Sequence, residues 1–361
     1  MSNKEHLISQ VPFPWQNAHW RRLDRLRLNN QLAHAYLIAG SAGLGLQLFA
    51  VKLAHLLLCV HPEAGRTCNE CRQCRLIAKN QHPDLHRVRP EGTSRAVKVN
   101  QIREASEFLS MTSHAGGPKI VIIEQSHQMN PSAANALLKT LEEPNPDSYL
   151  LLVTESASAV MATIKSRCQR LQFETPRFED SLEWLRKQLL DNEDEVKLLV
   201  AADNQPLTAL ELASSDAFEV RQSFIADLCG VLTGHCSIRQ CATKAAKLGE
   251  HVSIGYLLNL STLLVKSAIT GASANNLEDS PVSRLIQALD QAGQNRKIQT
   301  EGLLSFYQSA LAGRQQLAGS TNPNPQLIME SLLRQWARLP LGLRTRLGGG
   351  FGPDNKGESA Q

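Results

Sequence analysis

Two short stretches of this chain carry residue types whose spacing could do chemistry. The first, Gly40-Ser41-Ala42-Gly43-Leu44-Gly45-Leu46-Gln47, has the glycine frame of a phosphate-binding P-loop. In the intact motif, backbone N–H groups wrap the phosphates, a lysine after the last glycine neutralises the β/γ oxygens, and the next residue's hydroxyl ligates Mg²⁺. Leu46 and Gln47 stand in those two places. Leucine offers no charge to a triphosphate, and an amide is a poor substitute for a metal-ligating hydroxyl. Gly40, Gly43 and Gly45 therefore frame either an eroded phosphate cradle or a plain strand-to-helix turn.

The second stretch is Cys59 followed by Cys68, Cys71 and Cys74, a C-x8-C-x2-C-x2-C pattern inside a polar excursion with Pro62, Gly65 and Arg66. Four thiolates so spaced can close a tetrahedral shell around Zn²⁺. An iron–sulfur cluster also uses C-x2-C-x2-C runs, usually with a further C-x3-C-Pro element that is missing here. Zinc is favoured over that cluster and over four unrelated thiols. The other cysteines, Cys168, Cys229, Cys236 and Cys241, lie in apolar or helical patterns and read as small buried hydrophobes.

The elements that position these residues follow from periodicity. His34 to Ala39 is a short apolar run ending at Gly40, and Leu48 to Leu58 is apolar at helical spacing, so strand, loop and helix come in order. Lys119 to Ile123 is a β-branched run of the kind found in buried parallel strands, followed by Glu124 and Gln125. Asn130-Pro131 supplies an N-cap and first helical residue, Ala134, Leu137, Leu138 and Leu141 recur at helical spacing, and Pro144 stops the helix. Tyr149 to Val153 is a second buried strand, and helix-period sequence leads to Ser166-Arg167-Cys168 and then Leu171-Gln172-Phe173. This alternation predicts an α/β fold with a parallel sheet. Beyond Pro176 strand signals nearly vanish. Short amphipathic helices are expected at Leu182–Leu190, Val196–Ala202 and Leu207–Leu212, then longer ones at Ile254–Ile269, Pro281–Gln291, Gln299–Leu317 and Pro325–Trp336.

At 361 residues, 42% of them hydrophobic, the chain has length and apolar content for two or three globular domains. A net charge of +4 permits contact with nucleic acid without arguing for it. The polar start Met1 to His6 leads to no signal-peptide core, and no uninterrupted apolar run approaches a membrane span, so a cytoplasmic protein with reduced cysteines is expected.

Ala134-Asn135-Ala136-Leu137-Leu138-Lys139-Thr140-Leu141-Glu142-Glu143-Pro144, with Ser166-Arg167-Cys168 downstream, resembles the bacterial clamp-loader branch of the AAA+ family. The cysteine insertion after the glycine-loop helix and His34-Ala35-Tyr36-Leu37 belong to the same pattern. Within that branch the eroded loop is similar to a non-motor, stator-like subunit rather than the gamma/tau motor. The resemblance implies an AAA+ (RecA-like) domain over residues 1–173 with the zinc module at 59–74, a helical lid over 174–214, a helical collar over 215–339 and a disordered tail over 340–361. An active member ends a strand in Asp-Glu, the first carboxylate holding Mg²⁺ through water and the second polarising the attacking water. Glu124-Gln125 occupies that place, and glutamine cannot accept the proton as a carboxylate does. Motor subunits also carry a lid arginine, and the matching stretch Asn204-Gln205-Pro206-Leu207 has none. These losses together imply no working ATP site.

Arg167 differs. By residue type alone it is a surface charge, but the family's Ser-Arg-Cys arginine reaches the γ-phosphate bound by a neighbouring subunit. The resemblance thus implies a subunit of a hetero-oligomer, acting in trans as an arginine finger. Its partners would be gamma/tau and delta subunits, with the sliding clamp and primed DNA reached through the complex, no membrane, and a cytoplasmic location at the nucleoid through the replisome. Two other functions compete. A self-sufficient gamma/tau-type ATPase is disfavoured by Leu46, Gln47 and Gln125. A zinc-ribbon nucleic-acid binder would use Arg66, Arg72 and Arg75, but the ribbon has no aromatic on which bases could stack.

Overall fold

The computed structural model describes residues 7, 10–90, 96–189, 194–270, 282–283, 285–286, 296–318 and 323–339. The expected tail over 340–361 and most of the helix expected over Pro281–Gln291 lie outside them. Two compact units emerge, Met1–Gln188 with Asn204–Leu210, and Leu189–Asp203 with Glu211–Gln361.

The first unit is a five-stranded, all-parallel sheet in the order β2-β3-β4-β1-β5. Its strands are β1 (Ala35–Ala39), β2 (Leu85–Val88), β3 (Lys119–Ile123), β4 (Ser148–Thr154) and β5 (Gln169–Gln172). All of β1 and β3 is buried, as continuous apolar runs covered on both faces must be. Helix α1 (Asn17–Leu28) precedes the sheet, and α2 (Leu46–Leu58) leaves β1 through the glycine loop. After the cysteine excursion come α3 (Arg72–Ala78) and α4 (Val99–Ser110), and α5 (Pro131–Glu142) joins β3 to β4. The one-turn α6 (Ala162–Lys165) and α7 (Phe178–Arg186) flank β5. The α/β class read from the sequence is the one found. Strand β2 and helices α1, α3 and α4 went unread; for β2 the reason is that Leu-His-Arg-Val is a short edge strand with polar residues and too little apolar contrast to stand out.

Asn130 caps α5 as expected, its Oδ1 accepting the Ala133 N–H at 2.8 Å. At the other end His34 Nε2 lies 3.1 Å from the Leu141 carbonyl oxygen, which ties the last turn of α5 to the residue preceding β1. The edge of the sheet is held by Asp84, fully buried just before β2. Its carboxylate accepts from the His114 and Ala115 N–H groups at 2.9 and 2.8 Å and from Ser113 Oγ at 3.0 Å, and Lys119 Nζ at the start of β3 is 3.2 Å away. The Lys119 ammonium also sits 4.0 Å from the centre of the Phe108 ring.

The regular elements described in the second unit are all helices, α8 (Glu195–Ala201), the end of α9 (Pro206–Ala213), α10 (Ala217–Thr233), α11 (Ile238–Leu248), α12 (Glu250–Thr270), α13 (Arg296–Ala318) and α14 (Pro325–Arg338). Trp336 anchors its core, wholly buried and donating its indole N–H to the Leu228 carbonyl at 3.1 Å. Among the described residues one helix segment, Val252–Ile269, is long and apolar enough to cross a membrane by length and composition. Ile254, Leu257, Leu260 and Leu264 of that segment are buried in this same core.

Burial pushes the Asp84 carboxyl up, but the His114 and Ala115 N–H groups, Lys119 and Ser113 outweigh it and hold it below the usual carboxylate value. Its stabilising contribution is therefore complete above the ordinary carboxylate pKa, ~3.9, and lost as pH falls through the depressed folded value. Asp84→Ala strands a buried ammonium, and urea unfolding at neutral pH should show a loss of ~3–5 kcal/mol that shrinks as both proteins are acidified.

Candidate functional site

Parallel strands bring Gly40, Glu124 and Thr154 to one edge of the sheet, just beyond β1, at the end of β3 and at the end of β4. The glycine loop occupies this edge, with Gly43 and Gly45 at φ of 70° and 76°, backbone that a side chain rarely adopts. A Cβ on Gly40 would lie 2.9 Å from the Phe173 carbonyl oxygen.

The loop is packed by its own chain. A Cβ on Gly43 would collide with Thr208 Oγ1 and lie 2.8 Å from Gln205 Cβ, and the Leu207 N–H donates to the Gly43 carbonyl at 3.1 Å. On Gly45 the nearest neighbours would be Phe13 and Leu207. The Leu44 carbonyl accepts from both Trp15 Nε1 at 2.9 Å and Gln16 Nε2 at 2.8 Å. Leu44 and Leu46 are buried, so the position that would carry the phosphate lysine is part of the apolar core.

At the end of β3 the Glu124 carboxylate is buried and engaged. Its Oε1 accepts from Arg87 Nε and Nη2 at 2.9 and 2.6 Å and from Arg89 Nε at 2.9 Å. A carboxylate neutralised by two guanidinium groups is a poor outer ligand for Mg²⁺. Gln125 is exposed in left-handed backbone, φ 50°. Thr154 Oγ1 shares a hydrogen bond with His127 Nδ1 at 3.1 Å and accepts the Ser156 N–H at 3.1 Å. Arg87, Arg89, His127 and Thr154 were missed in the sequence. None of the four left a local signal, because Leu85-His86-Arg87-Val88 has too little apolar contrast to mark Arg87, and Arg89 lies beyond the strand.

The four cysteines do converge. All four Sγ atoms lie within 4.8 Å of one another, with Cys59 to Cys68 at 3.5 Å and Cys68 to Cys74 at 3.8 Å. A tetrahedron with metal–sulfur bonds of ~2.3 Å has edges of about 3.8 Å, so the set fits a metal ion held by four thiolates. Backbone N–H groups of Cys68, Cys71 and Cys74 point at Cys59, Cys68 and Cys71 Sγ, each at 3.4 Å. Burial pushes the Cys71 thiol up, yet N–H groups of Val60 and Cys74 and the neighbouring thiols bring it down to about 6. The excursion is pinned to α1 by Trp20, whose indole N–H donates to the Gly65 carbonyl at 3.0 Å. Of the other cysteines, Cys241 is buried, and Cys168, Cys229 and Cys236 pack partly buried against the two cores. Burial pushes the Cys168 thiol up to about 12, which removes it as a nucleophile.

Arg167 stands apart from the loop, just beyond α6. Its side chain is 36% exposed and its Nη2 pairs with Glu142 Oε1 at 2.6 Å, while Nη1 donates to the Thr163 carbonyl at 3.0 Å and Ser166 Oγ at 3.3 Å.

The sequence of this chain is matched by the family model for the DNA polymerase III delta subunit over residues 15–177 and by its C-terminal counterpart over 215–338. It is 34% identical to the DNA polymerase III subunit delta' of Pseudomonas aeruginosa, over 91% of this chain and 98% of that protein. The chain belongs to the DNA polymerase III delta-prime family. The delta' subunit of Escherichia coli is 27% identical over 89% of this chain and 94% of its own length. Among solved structures, a gamma-subunit-related DNA polymerase III protein from Thermotoga maritima overlays with a TM-score of 0.47 at 19% identity, over 88% of this chain and 99% of that one.

Restoring the two motif residues should not restore a nucleotide site in this member of the family. Leu46→Lys with Gln47→Thr places an ammonium in a buried apolar position, at a cost of ~2 kcal/mol or more. Calorimetry with Mg·ATP should detect no micromolar binding for the wild type or the double variant, and thermal unfolding should show the variant less stable. Tight binding by the variant would mean that the packing around Gly43 yields to a ligand.

Proposed function

We propose that this chain is a non-hydrolysing, stator-like subunit of the replicative clamp loader, a component of the DNA polymerase III holoenzyme that helps load the sliding clamp onto primed DNA. One contrast carries the reading. The chain's own phosphate cradle is packed by Gln205, Leu207 and Thr208 and its strand-end carboxylate is taken by two arginines, whereas Arg167 remains at the surface on a preset turn. A protein built this way contributes to ATP hydrolysis only at another subunit's nucleotide. There Arg167 acts as the arginine finger, its guanidinium supplying positive charge to the γ-phosphate as negative charge develops in the transition state. Partners of this assembly are the gamma/tau and delta subunits, in the cytoplasm and at the nucleoid through the replisome.

The cysteine site holds Zn²⁺ in this reading, through Cys59, Cys68, Cys71 and Cys74. A closed four-thiolate shell leaves no position for water or substrate, so its contribution is structural. Elemental analysis of protein made without added metal should find one zinc per chain. Cys74→Ser should lose it together with the thermal stability of the module, whereas iron with visible absorbance would replace the zinc assignment with a cluster.

The decisive experiment is steady-state ATPase and clamp loading by complexes reconstituted with this chain, gamma/tau and delta. Arg167→Ala should leave assembly intact and slow DNA- and clamp-stimulated hydrolysis, by ~10³-fold at the affected site and less in the total rate where several motor sites fire. Arg167→Lys should rescue poorly, because a point charge does not reproduce the planar fork. Unchanged rates in a fully assembled Ala complex would reduce Arg167 to an ordinary surface residue.

A further inference from the structure

An arginine that acts on a neighbour must be held in a defined pose while its target is absent. Arg167 has three anchors, and two are local. Thr163 and Ser166 belong to the same turn as Arg167, so they move with it and define nothing relative to the rest of the domain. The third is Glu142, the last residue of α5 and a quarter-hundred residues earlier in the chain. Helix α5 is capped by Asn130, buried through Ala134, Leu137 and Leu141, and tied at its final turn to the start of β1 by His34. Glu142 thus links the arginine to the sheet.

We infer that Glu142 is a positioning residue, whose carboxylate fixes the Arg167 guanidinium in the pose from which it reaches an anion on a neighbouring subunit. This rests on the reading of Arg167 as a residue acting in trans. The three anchors occupy three of the five guanidinium N–H donors and leave two for an incoming phosphate. The pair is open to solvent, with Glu142 51% exposed, so it adds little to folding stability. Its value lies in orientation: an arginine side chain has many rotamers, and one already held loses less on engaging its target.

The test uses the reconstituted complex with gamma/tau and delta, comparing wild type, Glu142→Gln, Glu142→Asp, Arg167→Ala and the double variant Glu142→Gln/Arg167→Ala. Glu142→Gln keeps size and polarity but removes the charge. It should lower DNA- and clamp-stimulated kcat by about three- to ten-fold, an order of magnitude expected for lost preorganisation at one contact. KM for ATP should stay unchanged, because the neighbour's own loop binds the nucleotide. Thermal unfolding of the free subunit should not move. Glu142→Asp should recover part of the loss, and in the Arg167→Ala background Glu142→Gln should have no further effect.

The outcomes separate. If Arg167→Ala itself leaves the rate unchanged, the action in trans fails and the positioning role fails with it. If Arg167→Ala slows the complex but Glu142→Gln does not, or if Glu142→Gln slows the Arg167→Ala complex further, the positioning role alone is overturned. A faster Glu142→Gln complex would make the carboxylate a competitor of the phosphate and likewise overturn it.

Discussion

Parallel pairing is the constraint on which the first unit depends. Strands that all run one way put all their carboxyl ends at one edge, and each must then return by a crossover on a face of the sheet. Gly40, Glu124 and Thr154 meet for this reason, although more than a hundred residues separate the first from the last. The same crossovers bury β1 and β3 on both faces, which accounts for the apolar runs 35–39 and 120–123. In this chain the shared edge has been closed over with its own side chains.

The closure takes two physical forms. At the glycine loop it is steric and apolar: Leu44 and Leu46 join the core, and Phe13, Gln205, Leu207 and Thr208 crowd the glycines. At Glu124 it is electrostatic, since a buried carboxylate needs compensation and two arginines near the sheet edge supply it. Removing either arginine would leave a charge poorly matched in a buried place, so the ion pairs tie β2 to β3 much as Asp84 and Lys119 do at the opposite end of the same strands. The glycine loop and the Glu124 carboxylate are thus packed and paired as parts of the framework.

The cysteine module and Arg167 each stand on a firm base, with Cys59 and Cys74 buried inside the module and the Arg167 side chain at the surface. The thiols are gathered by an excursion that Trp20 pins through the Gly65 carbonyl. Arg167 projects from a single helical turn steadied by Glu142 on α5. An exposed side chain acquires a fixed direction only from a well-packed element beneath it.

Sequence alone determined the α/β class, the buried strands β1, β3 and β4, the cap at Asn130 and the cysteine tetrad, because local periodicity, side-chain capping and ligand spacing act within a few residues. It also showed the missing lysine, hydroxyl and carboxylate at Leu46, Gln47 and Gln125, since a residue type is either present or not. Only the tertiary structure decided what fills the gaps. The short polar strand β2 became legible once it paired with β3 and delivered Arg87 toward Glu124, and the turn at Gln205–Thr208 acquired meaning once it lay against Gly43. In the sequence Glu142 is only one residue of the run ending at Pro144, and the fold sets its carboxylate 2.6 Å from Arg167. Long-range ion pairs of this kind have no period and no spacing, because the distance between such residues along the chain is set by the elements between them and not by their chemistry.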